Sequence, residues 1–373
     1  MNDIKDVIKE FDIDGKLIDI KCNDEGNINK TYIATYKLSS GDKKSYIIQK
    51  INTTVFKEPY KLMRNISNIT DWIEKKIRFQ DKNIKPYLTV VKTKNLKTLS
   101  VLTDENGEKD YYRAYNCIEN SVSYNNSKDK DIVYETGKAF GNFQSMLIDY
   151  PISKIEETIE GFHDTPLRYE NFLKDVELDV CDRVYECSKE IAFVIKNSGC
   201  ASLITDLINA GKIPIRVTHN DTKVNNVMMD KTTNKFLTVI DLDTVMLGSS
   251  LYDYGDGIRS TASSTFEDSS DLDNVYLDDN LFKSYTDGYL SEMAPFLTEA
   301  EVCNMAEAIE VITFELGMRF LNDYINGDTY FKTNYDNHNL VRARNQFKLL
   351  SDIQKKLPCL REYILDKYKE IIK

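Results

Sequence analysis

Arg216-Val-Thr-His-Asn-Asp-Thr-Lys-Val-Asn-Asn-Val227 decides the fold of this chain, together with Phe236-Leu-Thr-Val-Ile-Asp-Leu-Asp243 a short distance later. The two stretches carry polar side chains of the kinds that phosphoryl transfer uses: His219, Asp221, Asn226, Asp241 and Asp243. In that chemistry one carboxylate orients a hydroxyl, while an amide and a second carboxylate hold magnesium against the phosphates. The spacing His-x-Asp-x4-Asn, followed by an apolar strand that ends in Asp, is typical of the catalytic half of a kinase-like fold.

The bulk composition is that of a globular protein with an acidic surface. The chain has 373 residues, enough for two lobes rather than one small core. Hydrophobic residues make up 41% of it, and 23 Tyr with 16 Phe supply large side chains to bury, so global disorder is not expected. The formal net charge of -11 argues against a general nucleic-acid binder, which needs a basic footprint. A local basic pocket for phosphates remains compatible with that charge.

The sequence carries no pattern for export, membrane insertion or zinc binding. Its N-terminal segment lacks the continuous apolar core of a secretory signal, and no apolar run approaches the roughly 18–20 residues of a membrane span. Seven Cys occur without a Cys-x-x-Cys pair, which is typical of free thiols in a reducing compartment, so the cytoplasm is the expected location. The three His residues do not have metal-ligand spacing, so any bound metal is expected to be a hard cation with oxygen ligands.

The first third of the chain is predicted to consist mainly of strands. Apolar side chains alternate along residues 32–38, and a turn leads to a return strand at 45–51, which indicates a hairpin. Apolar residues between 62 and 77 recur at steps of three and four, which predicts a helix with Pro59 near its first turn. A second strand pair and one further strand follow: 87–92 with 99–103, and 111–118.

A polar segment at 119–130 predicts the boundary between two lobes. The remainder is expected to be mainly helical, at 131–149, 171–196, 281–294, 298–326 and 341–372. Strands are expected there only near 226–229 and 236–240, and the acidic, Ser-rich segment 263–273 is expected to be a solvated surface loop. The predicted fold class is therefore α+β, a bilobal protein-kinase-like fold. Its nucleotide-binding lobe spans 1–117 and its catalytic and substrate lobe 118–373.

Asp221 is the candidate catalytic residue. A carboxylate within hydrogen-bond reach of a substrate hydroxyl can accept its proton and direct its lone pair at the γ-phosphate. Because the transition state is loose, this orientation matters more than base strength. An Asp in a turn is also commonly only a loop cap, but His219 two positions before and Asn226 five positions after favour the catalytic interpretation. His219 is expected to fix the loop backbone rather than to transfer a proton.

Asn226 and Asp241 are the candidate magnesium ligands. Amide and carboxylate oxygens are hard ligands of the kind that Mg²⁺ prefers, although a turn residue and a strand-end cap are the competing interpretations. Asp243 is predicted to contact substrate, with a second metal contact or a capping role as alternatives. Lys223 either neutralises charge on the transferred phosphoryl group or is a solvated surface side chain.

The first lobe contains the candidates for ATP binding. The small polar loop Gly26-Asn-Ile-Asn-Lys-Thr-Tyr32 can lay backbone N–H groups over phosphates, although it has a single Gly. Lys50 is placed on its strand to reach the α- and β-phosphates, unless it is an edge-strand Lys that faces water. The strand at 111–118 is expected to be the hinge that recognises adenine through backbone groups. The predicted cofactor contacts are Asn27, Ile28, Asn29, Thr31, Lys50, Tyr115 and Cys117.

These motifs resemble the aminoglycoside phosphotransferase and choline kinase superfamily, whose signature is His-x-Asp-x4-Asn followed by Ile-Asp. The match is closer to one branch, the N-acetylhexosamine 1-kinases. The main matching segments are Thr218-His-Asn-Asp-Thr-Lys-Val-Asn-Asn-Val227, Val239-Ile-Asp-Leu-Asp-Thr-Val-Met246 and Tyr252-Asp-Tyr-Gly-Asp-Gly-Ile-Arg259. Supporting segments are Gly26–Tyr32 as quoted above, Gln49-Lys-Ile-Asn52, Phe162-His-Asp-Thr-Pro166, Thr313-Phe-Glu-Leu-Gly-Met-Arg-Phe320 and Asn337-His-Asn-Leu-Val-Arg-Ala-Arg344.

The resemblance implies a bilobal enzyme that uses ATP and magnesium to phosphorylate the anomeric hydroxyl of N-acetylglucosamine or N-acetylgalactosamine. By motif position, Asp221 matches the family's base, and Asn226 and Asp241 match its metal ligands. Arg319 and Tyr330 fall in the region that resembles the sugar site. An Arg can donate two hydrogen bonds to adjacent sugar oxygens, and a Tyr can contact a hydroxyl or the ring face. Alternatively, the Arg pairs with an acid in its helix and the Tyr belongs to the core.

Two other functions remain compatible with the sequence. A kinase of another small alcohol, such as an aminoglycoside or choline, suits the acidic net charge, which steers a cationic substrate. A nucleotide-binding module without chemistry would need a broken set of catalytic residues, whereas Asp221, Asn226 and Asp241 are all present. The expected partner is a small molecule rather than nucleic acid or a membrane. The sequence does not predict an oligomeric state.

Overall fold

The computed structural model of the protein describes residues 2–23, 28–80 and 86–373, which form two compact units. Unit 1 contains Met1–Ser121, Ser153–Glu160 and Leu237–Met246, and unit 2 contains Val122–Ile152, Gly161–Phe236 and Leu247–Lys373. Antiparallel strands dominate the N-terminal part and helices the C-terminal part, which confirms the predicted α+β, kinase-like fold class. The division into a nucleotide lobe at 1–117 and a substrate lobe at 118–373 stays a prediction.

Unit 1 is built on an antiparallel sheet. Its strands are β1 (Lys16–Asn23), β2 (Lys30–Lys37), β3 (Lys43–Lys50), β4 (Val90–Val91), β5 (Ser100–Thr103) and β6 (Lys109–Asn116). The strand order is β1-β2-β3-β6-β4, and β5 also pairs with β6. The unit also contains the helices α1 (Asn2–Glu10) and α2 (Pro59–Gln80), the second of which confirms the predicted helix after the hairpin.

Alternating burial explains the hairpin at the centre of this sheet. Tyr46 and Ile48 on β3 are buried, as are Ala34 and Tyr36 on β2. Successive side chains of a strand point to opposite faces, so this pattern specifies which face packs inward and fixes the register. The two strands pair antiparallel with Ala34 opposite Tyr46, which confirms the predicted hairpin.

The pairing of β4 and β5 corrects one prediction. The sequence suggested that residues 87–92 and 99–103 pair with each other, but both strands lie along β6 instead. Val91 lies opposite Ala114, and Ser100 lies opposite Tyr112. A strand of two to four residues carries too short a pattern to specify its partner, so the longer strand decides the pairing.

The first two elements of unit 1 were not predicted. α1 buries Ile4, Val7 and Ile8 at helical spacing, but its many charges obscured the pattern. β1 is an edge strand whose residues are exposed or only partly buried, so it lacks the alternation by which strands are recognised.

Unit 2 is mainly helical. Its helices are α3 (Lys130–Met146), α4 (Thr165–Leu178), α5 (Ser188–Asn197), α6 (Leu203–Asn209), α7 (Ser250–Thr261), α8 (Asp279–Met293), α9 (Glu299–Cys303), α10 (Met305–Ile325) and α11 (His338–Ile372). The remaining strands of the chain are short: β7 (Ser121–Val122), β8 (Arg216–Thr218), β9 (Val227–Asp230), β10 (Phe236–Val239) and β11 (Met246–Gly248). Most of β10 belongs to unit 1. β9 and β10 confirm the two strands that were predicted after the catalytic loop.

Glycines allow α3 and α8 to pack closely. A Cβ atom at Gly137 would lie 2.2 Å from the carbonyl oxygen of Tyr285, and one at Gly288 would lie 2.0 Å from that of Tyr134. Any larger residue would force the helices apart. This close contact forms part of the core of unit 2, in which Tyr285 is fully buried.

Two helical predictions differ from the structure. The segment predicted as one helix at 171–196 is two helices, because Asp179, which follows the last residue of α4, has a left-handed conformation with φ 40°. α7 was not predicted, since its sequence contains two Gly and two Asp, which have low helix propensity. α7 is almost entirely buried, so tertiary packing outweighs that propensity.

Among the described residues, one segment has the length and apolar composition of a membrane span. It is Ser188–Asn209, in which only 22% of the apolar window is buried. In the structure this segment is not one helix but α5 and α6, and Ile191, Val194 and Ile204 pack into the cores of unit 2. Length and composition alone are weak support for membrane insertion.

Candidate active site

The loop at residues 219–226 is fixed through its backbone by two carboxylates of α7. Asp253 accepts hydrogen bonds from the backbone N–H groups of His219 and Asn220, at 2.8 and 2.7 Å. Asp256 accepts one from the backbone N–H of Thr222 at 2.9 Å. Asn220 has a left-handed backbone with φ 64°, which is uncommon for a residue other than glycine. The buried carboxylates therefore hold an otherwise unfavourable loop shape.

Asp221 projects from this loop between a cation and an amide. Lys223 Nζ lies 2.7 Å from one carboxylate oxygen, and the side-chain amide of Asn226 donates to the other at 2.9 Å. Burial raises the pKa of Asp221, but the Lys223 ammonium and the hydrogen bond from Asn226 outweigh it, so the pKa lies below its usual value. The carboxylate is 27% exposed. It is therefore ionised and accessible to a hydroxyl.

The structure thus brings together three of the predicted residues of unit 2: Asp221, Lys223 and Asn226. The Lys223 side chain is 43% exposed, and the nearby charge of Asp221 raises the pKa of its ammonium. Its predicted role in neutralising charge on the transferred phosphoryl group stays a prediction. Asn226 also donates to the backbone carbonyl oxygen of Asp221 at 2.9 Å. Both of these bonds use the amide nitrogen, so the amide oxygen is the atom that suits a cation.

The candidate metal ligands fit a hard cation by their chemistry. The side chain of Asn226 has an amide oxygen and that of Asp241 has a carboxylate, and each is a hard donor of the kind that Mg²⁺ prefers. Asp241 has a left-handed backbone, with φ 60° and ψ 56°, at the start of the turn that follows β10. Within residues 2–23, 28–80 and 86–373, no group of three or more His, Cys, Asp and Glu side chains could hold a metal by itself. The roles of Asn226 and Asp241 stay predictions.

Asp243 is buried in unit 1 and occupied by protein groups. Arg113 donates to both of its carboxylate oxygens, and the bond from Nη2 to Oδ2 is 2.8 Å long. Asn29 donates to Oδ2 at 2.6 Å. Burial lowers the pKa of Arg113, but the charge of Asp243 outweighs it and the net shift is upward. The predicted contact between Asp243 and substrate stays a prediction.

The predicted nucleotide loop lies partly within the described chain. Ile28 is 47% exposed, whereas Asn29 and Thr31 are buried. Asn27 lies outside the described residues. The Asn29 side chain accepts a hydrogen bond from the backbone N–H of Asn52 at 2.9 Å, which ties the loop to the end of β3.

Lys50 and the predicted hinge lie on adjacent strands of unit 1. Lys50 Nζ lies 2.5 Å from a carboxylate oxygen of Asp110, and both side chains are more than a third exposed. Tyr115 is buried on β6, and burial raises its pKa. The backbone N–H of Cys117 donates to the carbonyl oxygen of Ser45 at 3.1 Å. Contact of these residues with a nucleotide stays a prediction.

Arg319 and Tyr330 lie together in unit 2. The Arg319 guanidinium carbon is 5.7 Å from the ring centre of Tyr330, and it also lies near the rings of Phe162 and Phe331, at 5.3 and 5.5 Å. Its ion pair with Glu315 is long, at 3.8 Å. Tyr330 is 53% exposed, so it is not a core residue. Cation–π attraction to the aromatic rings stabilises the guanidinium, and its N–H groups are hydrogen-bond donors.

The segment 263–273 is not simply a solvated loop, because Glu267 belongs to a charged network. Its carboxylate accepts hydrogen bonds from Arg259 at 2.7 Å and from Arg342 at 2.5 Å. Arg259 also donates to Asp256, the carboxylate that holds Thr222. Burial raises the pKa of Glu267, but the two guanidinium groups outweigh it and lower that pKa to about 2. The loop therefore supports α7.

A comparison with known families identifies the chain. The model of the phosphotransferase enzyme family, APH, matches residues 34–294, which is most of the sequence. The chain belongs to this family. The predicted resemblance is thereby confirmed at the level of the phosphotransferase family.

Solved structures share the fold of this phosphotransferase at low sequence identity. A microcompartment-associated aminopropanol kinase is 15% identical with a TM-score of 0.63, covering 96% of this chain and 98% of the other. An aminoglycoside phosphotransferase from Alicyclobacillus acidocaldarius subsp. acidocaldarius is 12% identical with a TM-score of 0.61, covering 97% and 96%. The amicoumacin kinase hAmiN, solved with AMP-PNP, Ca²⁺ and Ami, is 12% identical with a TM-score of 0.57, covering 98% and 93%.

The sequence did not predict which residues of this phosphotransferase hold the loop at 219–226 and the turn at 241–244. Asp253 and Asp256 lie in a segment that was noted only for its family resemblance, and Arg113 lies in the predicted hinge. A signal existed for the two acids. They are charged residues three positions apart among the apolar side chains Leu251 and Ile258, and buried charges need partners. No comparable local signal marks Arg113.

Proposed function

We propose that this protein transfers the γ-phosphoryl group of ATP to the anomeric hydroxyl of an N-acetylhexosamine, N-acetylglucosamine or N-acetylgalactosamine, giving the sugar 1-phosphate and ADP. The observation that carries the proposal is the environment of Asp221. Its carboxylate is ionised, partly exposed and held between Lys223 and Asn226 on a loop with a fixed backbone. Family membership supports the phosphoryl transfer, and the segments that resemble the 1-kinases support the sugar.

In this proposal the chain acts mainly by orientation. Asp221 accepts a hydrogen bond from the sugar hydroxyl and directs its lone pair toward the phosphate, which is what a loose transition state requires. Lys223, whose ammonium lies 2.7 Å from the carboxylate, keeps Asp221 ionised, and its positive charge would offset charge that develops on the transferred group. Asn226 and Asp241 would hold Mg²⁺ through their hard oxygen atoms. The ion, when bound, neutralises charge on the phosphates.

The proposed sugar site is the Arg319 cluster. Its guanidinium is supported by three aromatic rings, so its N–H groups are suited to donate to adjacent sugar oxygens. Tyr330 is exposed enough to contact the sugar ring or a hydroxyl. The proposed nucleotide contacts are Asn27, Ile28, Asn29, Thr31, Lys50, Tyr115 and Cys117.

The test is ADP release with ATP and Mg²⁺ across a panel of N-acetylated and plain hexoses. Phosphorus NMR of the product then shows whether the phosphate is on the anomeric oxygen. We expect turnover with N-acetylhexosamines and an anomeric phosphate. Turnover with none of the hexoses, or a phosphate at another hydroxyl, would contradict the proposal.

A kinase of another small alcohol is the second candidate, since the net charge of -11 favours a cationic acceptor by long-range attraction. Arg168 and Arg319 oppose this locally. Burial and the nearby charge of Arg319 lower the pKa of Arg168 to about 10, while Glu315, 3.9 Å from Arg168 and 3.8 Å from Arg319, offsets part of this positive charge. Aminoglycosides and choline in the same ADP assay separate the two candidates.

A further inference from the structure

A closed ring of hydrogen bonds surrounds the carboxylate of Asp243 in unit 1. Arg113 donates to both oxygens of Asp243, and its Nε donates to Gln49 at 3.0 Å. Gln49 donates to the hydroxyl of Thr31 at 3.1 Å, and that hydroxyl donates to the carbonyl oxygen of Asn29 at 3.4 Å. The side chain of Asn29 closes the ring with a 2.6 Å bond to Asp243. These five residues are called the Arg113 ring below.

The centre of the ring is a buried ion pair. The side chains of Arg113 and Asp243 are 1% and 4% exposed. A bidentate contact between guanidinium and carboxylate constrains both distance and plane, so it admits one orientation of the carboxylate. Loss of either partner would leave a buried charge without its counter-charge. The ring therefore specifies the position of Asp243 tightly.

The ring joins two segments that are far apart in sequence. At one end, Asp243 lies two residues after Asp241, in a turn that begins with the left-handed backbone of Asp241. At the other end, Asn29 lies in the loop before β2 and accepts a bond from the backbone of Asn52. Side chains thus tie the turn to the sheet. This support matters because a residue other than glycine does not readily hold a left-handed backbone by itself.

We propose that the Arg113 ring is a positioning device for the turn at 241–244, in which Arg113, Gln49 and Asn29 hold Asp243 so that Asp241 presents its carboxylate to a metal-bound nucleotide. In this proposal Asp243 acts through its hydrogen bonds within the ring, from Arg113 and Asn29, rather than as a ligand of metal or sugar. The inference rests on the proposed function in taking Asp241 as a metal ligand.

The first experiment separates positioning from general support. ADP binding is measured by calorimetry in Mg²⁺ and in EDTA for wild-type protein, for Arg113→Met and for Arg78→Met. The control breaks an exposed Arg–Glu pair of α2 in the same unit. We expect Arg113→Met to weaken binding about tenfold in Mg²⁺ and less than about twofold in EDTA, because outer-shell partners tune metal affinity by this amount. Equal effects in both media, or an effect no larger than that of the control, would overturn the proposal.

The second experiment uses thermal unfolding and does not depend on nucleotide. Arg113→Met should lower the melting temperature by about 5 °C or more, since it leaves Asp243 charged and buried. Adding Asp243→Asn removes that charge, so the double variant should melt at or above Arg113→Met alone. Arg113→Lys retains the charge but not the two-pronged contact, and should recover part of the loss in Mg²⁺-dependent binding. Additive losses in the double variant would contradict a coupled ring.

The outcomes also separate this inference from the proposed function. Wild-type protein that binds ADP with Mg²⁺ but phosphorylates no sugar would contradict the proposed function alone. If the wild-type protein is active and the Arg113→Met variant retains full Mg²⁺-dependent ADP binding, only the proposed role of the Arg113 ring is contradicted. If Asp243 were itself a ligand, Asp243→Asn would lose that binding while Arg113→Met kept it.

Discussion

The loop at 219–226 in unit 2 and the turn at 241–244 in unit 1 carry the candidate catalytic groups, and they are held in opposite ways. In the loop, the carboxylates of Asp253 and Asp256 accept hydrogen bonds from backbone N–H groups. In the turn, the guanidinium of Arg113 holds a side-chain carboxylate. The first arrangement fixes the path of the chain, and the second fixes one side chain and, through it, its neighbours.

The difference follows from what each segment has to present. Asp221 needs a fixed backbone and an ionised carboxylate. The two groups that stabilise its negative charge, the Lys223 ammonium and the Asn226 amide, lie on the same loop. Asp241 lies at the start of a turn with an unfavourable backbone conformation, so a buried anchor two residues away is the stabilising element. Substitutions that remove each anchor therefore have different expected consequences.

The largest effect is expected from Asp221→Asn. This substitution removes the proposed proton acceptor, but it keeps the hydrogen bonds from the loop to α7 and those from Arg113 to the turn. The change is nearly isosteric, but an amide cannot accept the proton, so kcat should fall about 10²–10⁴-fold. Steady-state kinetics with circular dichroism as a check of folding measures this. Asp366→Asn, at an exposed carboxylate of α11, is the control and should match wild type. A loss of less than about tenfold would show that Asp221 is not the base.

Asp253→Asn breaks the anchor of the loop. The amide nitrogen would face the backbone N–H of His219 or Asn220, or the Gln144 amide that now donates to Asp253 at 2.6 Å. A buried donor would then face a donor, and the free energy of unfolding should fall by about 4 kcal/mol. Urea unfolding measures it, and activity should fall in parallel. Unchanged stability would mean that the loop holds its shape without α7.

Glu267→Gln tests the charged network that supports Asp256 of α7. The test measures how the stability difference between wild type and variant depends on pH. The pKa of Glu267 is lowered from 4.5 to about 2 in the folded protein. Its ionised form therefore contributes stability above about pH 4.5, and that contribution is lost as the pH falls through about 2. The free energy of unfolding of the wild type should exceed that of the variant by about 3 kcal/mol at neutral pH, and this difference should vanish toward pH 2. A difference that is independent of pH would contradict this role.

Arg319→Met is expected to have the smallest effect, because it touches neither anchor. Removal of the guanidinium should raise KM for the sugar about tenfold, equivalent to about 1.4 kcal/mol, with little change in KM for ATP. Arg361→Met, at a partly exposed Arg–Glu pair in unit 2, is the matched control. Equal changes for sugar and ATP would indicate a structural role for Arg319.

Local pattern predicted the elements whose residues carry their own signal. The hairpin of β2 and β3 and the helix α2 follow from apolar periodicity over eight and 22 residues. The prediction fails where the pattern is short or contradicted by composition, as for β4, β5 and α7. In the candidate site, the sequence predicted Asp221, Lys223 and Asn226 together, because these three residues lie within six consecutive positions.

By itself the sequence determined that this chain is a member of a phosphotransferase family with Asp221 in its signature loop, because motif spacing and apolar period are local properties of the chain. Only the tertiary structure decided that Asp253 and Asp256 hold that loop, and that Arg113 is buried in unit 1 against Asp243. Arg113 meets Asp243 across 130 positions of sequence. Such a pairing depends on burial and register in the folded chain, and local spacing does not encode them.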